Sequence, residues 1–281
     1  MSNIAWSAEE RLDAYAILAE AGITGLEIAP GIFFHAAADP FVPDDASARE
    51  AVREMANAGL SLVSMQSLLF GVTGAELFGG AEARVAFEAG MQRAITLAGR
   101  FGIPNLVFGS PAQRRVPVGK TMADALDEAA EVFRRLGDAA AVAGTRITIE
   151  ANPAAYGTNF LTTLEEAEAF VARVDHPAIA PILDLGAMHM NGSFASVPAR
   201  LSDLAPHLNH VHVSEPDLAP APADAAALVA VLRALQAAGY AKAVSIEMKR
   251  PPQGLTEVRR AVTRLADAHT AAHQTEGAIH A

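Results

Sequence analysis

The chain has 281 residues, 51% of them apolar, carries a formal charge of −11 and contains no cysteine. A chain of this length and composition can bury a large core and is expected to form one domain, as single α/β barrels commonly do. Its acidity, with a pI near 5.2, works against nucleic acid or an anionic membrane as partner, because polyanions reward basic patches, and the missing thiols exclude disulfides and thiolate metal sites. The opening Met1-Ser-Asn-Ile-Ala-Trp6 has no basic region followed by an apolar core, and no uninterrupted apolar run reaches roughly 18 residues. A cytoplasmic enzyme handling small molecules is the expectation.

Taken in order, Asn3-Ile-Ala-Trp6 reads as a short first strand, and Ser7-x-x-Glu10 has the capping-box spacing that opens a helix running to about Ala21. Ile23 to Ala29 is a second strand, broken by Pro30-Gly31 and followed by a long loop; Ser47-x-x-Glu50 caps the next helix. Leu60 to Gln66 is a strand, then come a Gly-rich loop and a helix from about Glu82 to Phe101. Asn105 to Gly109, Arg146 to Glu150, Ile179 to Asp184, His207 to Val213 and Lys242 to Glu247 continue the strands. Helices near 121–143, after Thr163-x-x-Glu166, and near 197–204, 223–238 and 256–268 alternate with them. Eight such units in strict alternation are what a closed (β/α)8 TIM barrel requires, here over residues 1–270, with 271–281 expected to be a flexible tail. No Gly-x-Gly-x-x-Gly follows the first strand, which counts against an open doubly wound sheet.

In such a barrel the active site lies at the C-terminal mouth, so polar residues at strand ends are the candidates. The mouth would gather Trp6, Glu27, Gln66, Ser110, Glu150, Asp184, His212 and Glu247. A lone strand-end acid is as readily a helix cap. Several on consecutive strands would repel one another and raise each other's pKa values unless a cation lay between them. Three carboxylates and one imidazole form an oxygen-rich set that favours one divalent metal, Mn²⁺ or Mg²⁺ first, with Co²⁺ or Zn²⁺ also admitted. Arg114, in the loop Gly109-Ser-Pro-Ala-Gln-Arg-Arg115, could hold a phosphate, and Lys249 an anionic group of the substrate. Trp6 with Phe33 and Phe34 could form an apolar wall, and Gln66 could reach substrate from its strand end.

Nearly the whole chain resembles the sugar phosphate isomerase/epimerase family of xylose-isomerase-like barrels, which includes ketose 3-epimerases and, more distantly, endonuclease IV. The resemblance rests on Asn3-Ile-Ala-Trp6, Gly25-Leu-Glu-Ile-Ala-Pro30, Val107-Phe-Gly-Ser-Pro111, Glu150-Ala-Asn-Pro153 and Ser245-Ile-Glu247, and on the order acid, acid, His, acid over four strands. It implies that Glu150, Asp184, His212 and Glu247 bind one divalent metal, and that Glu150 and Glu247 also shuttle protons on either face of the substrate. His212 is chosen over His210 because the family's ligand histidine is followed three positions on by an acid, here Glu215, which joins the substrate-contacting candidates. Two positions depart from the ketose 3-epimerases: Ala187 stands where they have a histidine, and Leu218 where they have an arginine. His189, in the same loop as Ala187, is the candidate replacement.

The expected activity is a metal-dependent isomerase or epimerase of a sugar or sugar phosphate, working by proton transfer alpha to a carbonyl through a metal-stabilised enediolate. A lyase acting on a keto sugar would use the same parts. An endonuclease IV-like hydrolase would need further ligands on the early strands and a basic approach surface, neither of which is visible. Association as a homodimer or homotetramer is left open.

Overall fold

In the computed structural model, which describes residues 1–274, seven strands lie in chain order in one all-parallel sheet. They are β1 (Gly25–Ile28), β2 (Ser61–Met65), β3 (Asn105–Phe108), β4 (Arg146–Ile149), β5 (Ile179–Asp184), β6 (His210–Val213) and β7 (Val244–Ile246). The covering helices are α1 (Arg11–Glu20), α2 (Pro30–Phe33), α3 (Asp45–Asn57), α4 (Ala81–Phe101), α5 (Met122–Ala143), α6 (Leu164–Val174), α7 (Leu185–Met190), α8 (Val197–Leu204), α9 (Ala225–Ala237) and α10 (Leu255–His273). Sequential parallel neighbours joined by helices are the signature of an α/β barrel, and the sheet curls until β7 approaches β1.

The expected first strand is corrected. Asn3–Ala5 is a single 3-10 turn, and only Met1 and Ser2 occupy the eighth strand position. Ser2 N donates to Ile246 O of β7 (2.8 Å), while Met1 O accepts from Glu27 N of β1 (2.9 Å), so two residues stitch the barrel shut. The chain leaves the sheet at Asn3 because its side chain accepts from Ala29 N (2.7 Å) and donates to Ala29 O (3.3 Å), taking over backbone groups that a strand would have used.

The sheet is short in β-structure but rich in buried side chains. β3 and β6 are buried along their whole length, as expected for strands covered on both faces. Phenylalanines 87, 108, 133, 160 and 170 pack edge-on or tilted in a continuous series between strands and helices, the geometry aromatic quadrupoles favour. Two of the three capping boxes read from the sequence form, at Ser7 with Glu10 and at Thr163 with Glu166. α3 begins earlier than Ser47-x-x-Glu50 suggests, because Asp44 accepts from both Ala46 N and Ser47 N and caps the helix itself. At the other end α10 continues through His273, and residues 275–281 of the expected tail lie outside the described residues. No helix among the described residues is long and apolar enough to cross a membrane.

Candidate metal centre and active site

Four strand ends converge at the C-terminal mouth. The β-branched run of β4 keeps the chain extended up to Glu150, whose backbone N still bonds to Phe108 O (3.1 Å) before Pro153 ends the pairing. Glu247 is held in the same way beyond β7, its N donating to Val213 O (3.0 Å). Asp184 closes β5, and His212 lies in β6 with its ring turned into the barrel.

His212 is the hub. Its Nδ1 lies 3.2 Å from Glu150, 3.6 Å from Asp184 and 3.2 Å from Glu247. One ligand atom from each of these four residues falls within 4.8 Å of every other. On the opposite edge of the ring, Nε2 is 3.1 Å from both carboxylate oxygens of Glu27. Burial opposes charge on His212, but the negative charges of Glu247 and Glu27 and contacts with Asp184 and Glu150 hold its imidazolium well above the usual histidine range. Burial pushes the Glu247 carboxyl up to about 7, with Glu150 and Asp184 adding to the rise and His212 opposing it. For Glu27 burial is outweighed by His212 and His210, and its carboxyl sits well below the usual range.

The neighbours of the carboxylates are equally specific. Asn152 donates to Glu150 Oε2 (2.8 Å), while its own Oδ1 is buried without a partner. Asp184 Oδ1 caps α7 by accepting from Ala187 N (2.5 Å), and Oδ2 accepts from the Ser214 hydroxyl (2.8 Å). The bland reading of a strand-end acid as helix cap and its membership of the cluster therefore both hold for Asp184. Gly109 lies close against the site just past β3: a Cβ there would collide with Glu150 Oε2, which would have to shift, and stand 3.3 Å from Asn152 Oδ1.

A cavity of about 480 Å³ opens over these groups, walled by Asn152, Tyr156, Ser214, Glu215, Asp217 and Lys249 beside the three carboxylates. Its size suits a small ligand. A larger cleft of about 580 Å³ lies at the opposite face of the barrel, beside Lys242 and His269, but no carboxylates converge on it. The mouth is therefore the candidate site. The loop at its rim is strained: Asp217 and Leu218 both adopt left-handed backbone (φ 58° and 54°). They are held there as Tyr156 Oη accepts from Asp217 N and Leu218 O from Lys249 N.

The other residues expected at the site are distributed unevenly. Glu215 and Lys249 line the cavity. His189 stacks on Phe194 at 3.8 Å in a side cavity of about 120 Å³ that shares Ser214 and Glu215 with the main one. Trp6 is buried edge-on to Tyr15, and Gln66 points inward, its amide donating to Ser2 Oγ (2.7 Å) and Glu27 Oε1 (3.0 Å). Arg114 is fully buried against Phe108, donates to Leu161 O (3.3 Å) and does not line the cavity. Burial drives its guanidinium down to about 10, partly offset by Glu150.

Sequence reasoning assigned no role to Asn152, Tyr156, Ser214 or Asp217, and passed over His210. Asn152 alone carried a usable signal, lying two residues beyond Glu150 and therefore on the same side of the extended chain.

The donor set fits a divalent cation: three carboxylates and one imidazole bring their ligand atoms within 4.8 Å of one another, and a cation among them would offset the gathered negative charge. Among solved structures, the chain is similar to the apo form of 3-keto-D-glucoside 4-epimerase YcjR from E. coli, with 17% identity over 96% of this chain and 98% of the other and a TM-score of 0.73. It is similar to D-psicose 3-epimerase from Clostridium cellulolyticum H10, solved with D-tagatose (17% identity, 97% and 95% covered, TM-score 0.70). It is also similar to AP endonuclease, family 2, from Brucella melitensis (19% identity, 98% of both chains, TM-score 0.67). No curated protein matches the chain. Residues 15–268 match the family of xylose isomerase-like TIM barrels, and to that family the chain belongs.

Proposed function

We propose that this barrel is a metal-dependent isomerase or epimerase acting on an uncharged keto sugar. The observation that carries the reading is the convergence of Glu150, Asp184 and Glu247, from three different strands, on one nitrogen of His212 beneath a cavity of sugar size. Glu150, Asp184, His212 and Glu247 would hold the ion, with Mn²⁺ the first candidate. A divalent ion there would polarise a carbonyl and so acidify the adjacent C–H. Glu150 and Glu247 follow different strands, β4 and β7, and would serve as the two proton-transfer groups on a bound sugar. One carboxylate takes the proton alpha to the carbonyl while the electron pair moves onto the carbonyl oxygen; the other returns a proton to carbon. Asn152 fixes the Glu150 carboxylate, and Ser214 that of Asp184. The epimerase neighbours named above support the same class of reaction.

The charge of the cavity supports an uncharged substrate. Glu150, Asp184, Glu215, Asp217 and Glu247 line it, and Lys249 is the one cationic side chain on its wall among the described residues. A phosphate at Arg114 would require that side chain to leave its buried position. The same acidity disfavours nucleic acid.

The test is turnover of a panel of uncharged and phosphorylated ketoses by protein loaded with Mn²⁺, run in D₂O with and without chelator. Chelator-sensitive conversion of an uncharged sugar, with deuterium entering next to the carbonyl, is expected. Turnover by metal-free protein would refute the metal reading, and fragmentation of the sugar chain would indicate a lyase. Preference for a phosphorylated sugar, with KM raised selectively by Arg114→Ala, would reinstate a phosphate site.

A further inference from the structure

We propose that Glu27 is a positioning residue for the metal centre: its carboxylate receives the Nε2–H of His212 and thereby fixes the tautomer that leaves Nδ1 free for the ion, while Gln66 anchors the carboxylate. The inference rests on the metal reading above and assigns a role to groups outside the four ligands.

An imidazole can ligate through either nitrogen, and a neutral ring carries its single proton on the other. Here the two edges of His212 face different surroundings. Nδ1 meets Glu150, Asp184 and Glu247, whereas Nε2 meets only Glu27, at 3.1 Å from each carboxylate oxygen. An acceptor symmetrically placed on Nε2 selects the Nε2–H tautomer and holds the ring plane. Glu27 is fully buried and does not line the cavity, so it cannot reach a substrate. Its own position is fixed by the Gln66 amide on Oε1, and Gln66 is in turn fixed by Ser2 in the segment that closes the barrel.

Glu27, His210 and His212 also lie close enough together to be considered as ligands of a second cation, with His210 Nε2 3.2 Å from Glu27 Oε2. Two features work against it. The Gln66 N–H already occupies one Glu27 oxygen, and His212 would have to bridge two ions.

The experiment is calorimetric titration of metal-free wild type and Glu27→Gln with Zn²⁺, together with ¹H–¹⁵N NMR of the His212 ring in both zinc-loaded proteins. One equivalent should bind to each protein, about 10- to 100-fold more weakly to Glu27→Gln, the usual effect of losing a ligand's outer partner. Compared with zinc-loaded Glu27→Gln, the wild-type Nε2–H should carry the downfield proton shift of a hydrogen bond to a carboxylate, a signature that ligation through Nδ1 alone would not set. Should Glu27→Gln not fold, Gln66→Leu, which frees the same carboxylate, should weaken binding in the same direction and shift the same Nε2–H resonance. A second equivalent bound by the wild type would make Glu27 a ligand and overturn the proposal. Affinity unchanged in a folded variant, or an Nε2–H resonance that Glu27→Gln leaves in place, would overturn it while leaving the metal reading standing; a proton on Nδ1 would take His212 out of the ligand set and overturn both. A wild type that binds no ion would remove both.

Discussion

His212 Nδ1 stands 3.2 Å from Glu247 Oε2, and in the absence of metal a proton must occupy the space between and around them. The imidazolium is held well above the usual histidine range and the Glu247 carboxyl is pushed up to about 7 by burial. A cation entering the cluster displaces these protons, so affinity for Mn²⁺ should rise as pH rises through 7, by about tenfold per unit for each proton released. Calorimetry in buffers of differing ionisation enthalpy would count them.

The same groups predict how stability depends on pH. Both folded pKa values are raised above the unfolded ones. Their stabilising contribution is therefore complete below the unfolded values and is lost as pH rises through the folded ones, through about 7 for Glu247. The Met1 ammonium, lowered by burial to about 6, has the opposite sign but is common to both forms. The difference in Tm between metal-loaded and metal-free protein should accordingly widen between about pH 5.5 and about pH 8. A constant or narrowing difference in scanning calorimetry would contradict the displacement of protons from this cluster.

Glu150→Gln and Glu247→Gln each keep one acceptor oxygen while removing charge and basicity. With metal in excess, kcat should fall by about 10² to 10⁴-fold with a smaller change in KM. Both variants should also slow deuterium entry from D₂O. A wild type that turns over with no solvent deuterium in its product would instead mean that hydrogen moves directly within the substrate.

Gly109→Ala tests the packing behind the base. The new methyl meets Glu150 Oε2 and Asn152 at the end of β3, so the carboxylate must shift. A loss of about 1–3 kcal/mol in unfolding free energy is expected from overpacking, together with reduced kcat. Urea unfolding and steady-state kinetics on the same preparation would show whether both change.

Asp184→Asn keeps an acceptor for Ala187 N, whereas Asp184→Ala removes it. Both should lose metal affinity, but only the alanine variant should also lose about 0.5–2 kcal/mol of stability with the helix cap. Equal thermal stability of the two metal-free variants would show that the cap is unimportant.

Much of this was legible in the sequence, for reasons that differ by element. Strands such as Arg146–Ile149 announce themselves through β-branched residues and a Pro stop, and their ends carried all four candidate ligands. Asn3–Ala5 read as a strand because three or four residues cannot show a period, and the competing side-chain bonds to Ala29 depend on tertiary placement. The inward turn of Gln66 and the meeting of Glu27 with His212 were hidden for a related reason. The first joins neighbouring strands inside the barrel and the second links β1 to β6, 185 residues apart, and no local pattern encodes either. Arg114 read as a phosphate-holding cation from its loop, and only the packing of Phe108 and Leu161 shows it enclosed.

Asp184, as both helix cap and member of the carboxylate cluster, bears on how such a site decays. Functional residues commonly oppose folding, so a lineage that loses its activity can gain stability by replacing them. At Glu150 and Glu247, like charges held together out of water, that drift is downhill. At Asp184 it is uphill, because the replacement must also begin α7. In barrels of this build that have abandoned their chemistry, the aspartate at this position should be the last of the four to go, a relic of the site preserved by the fold.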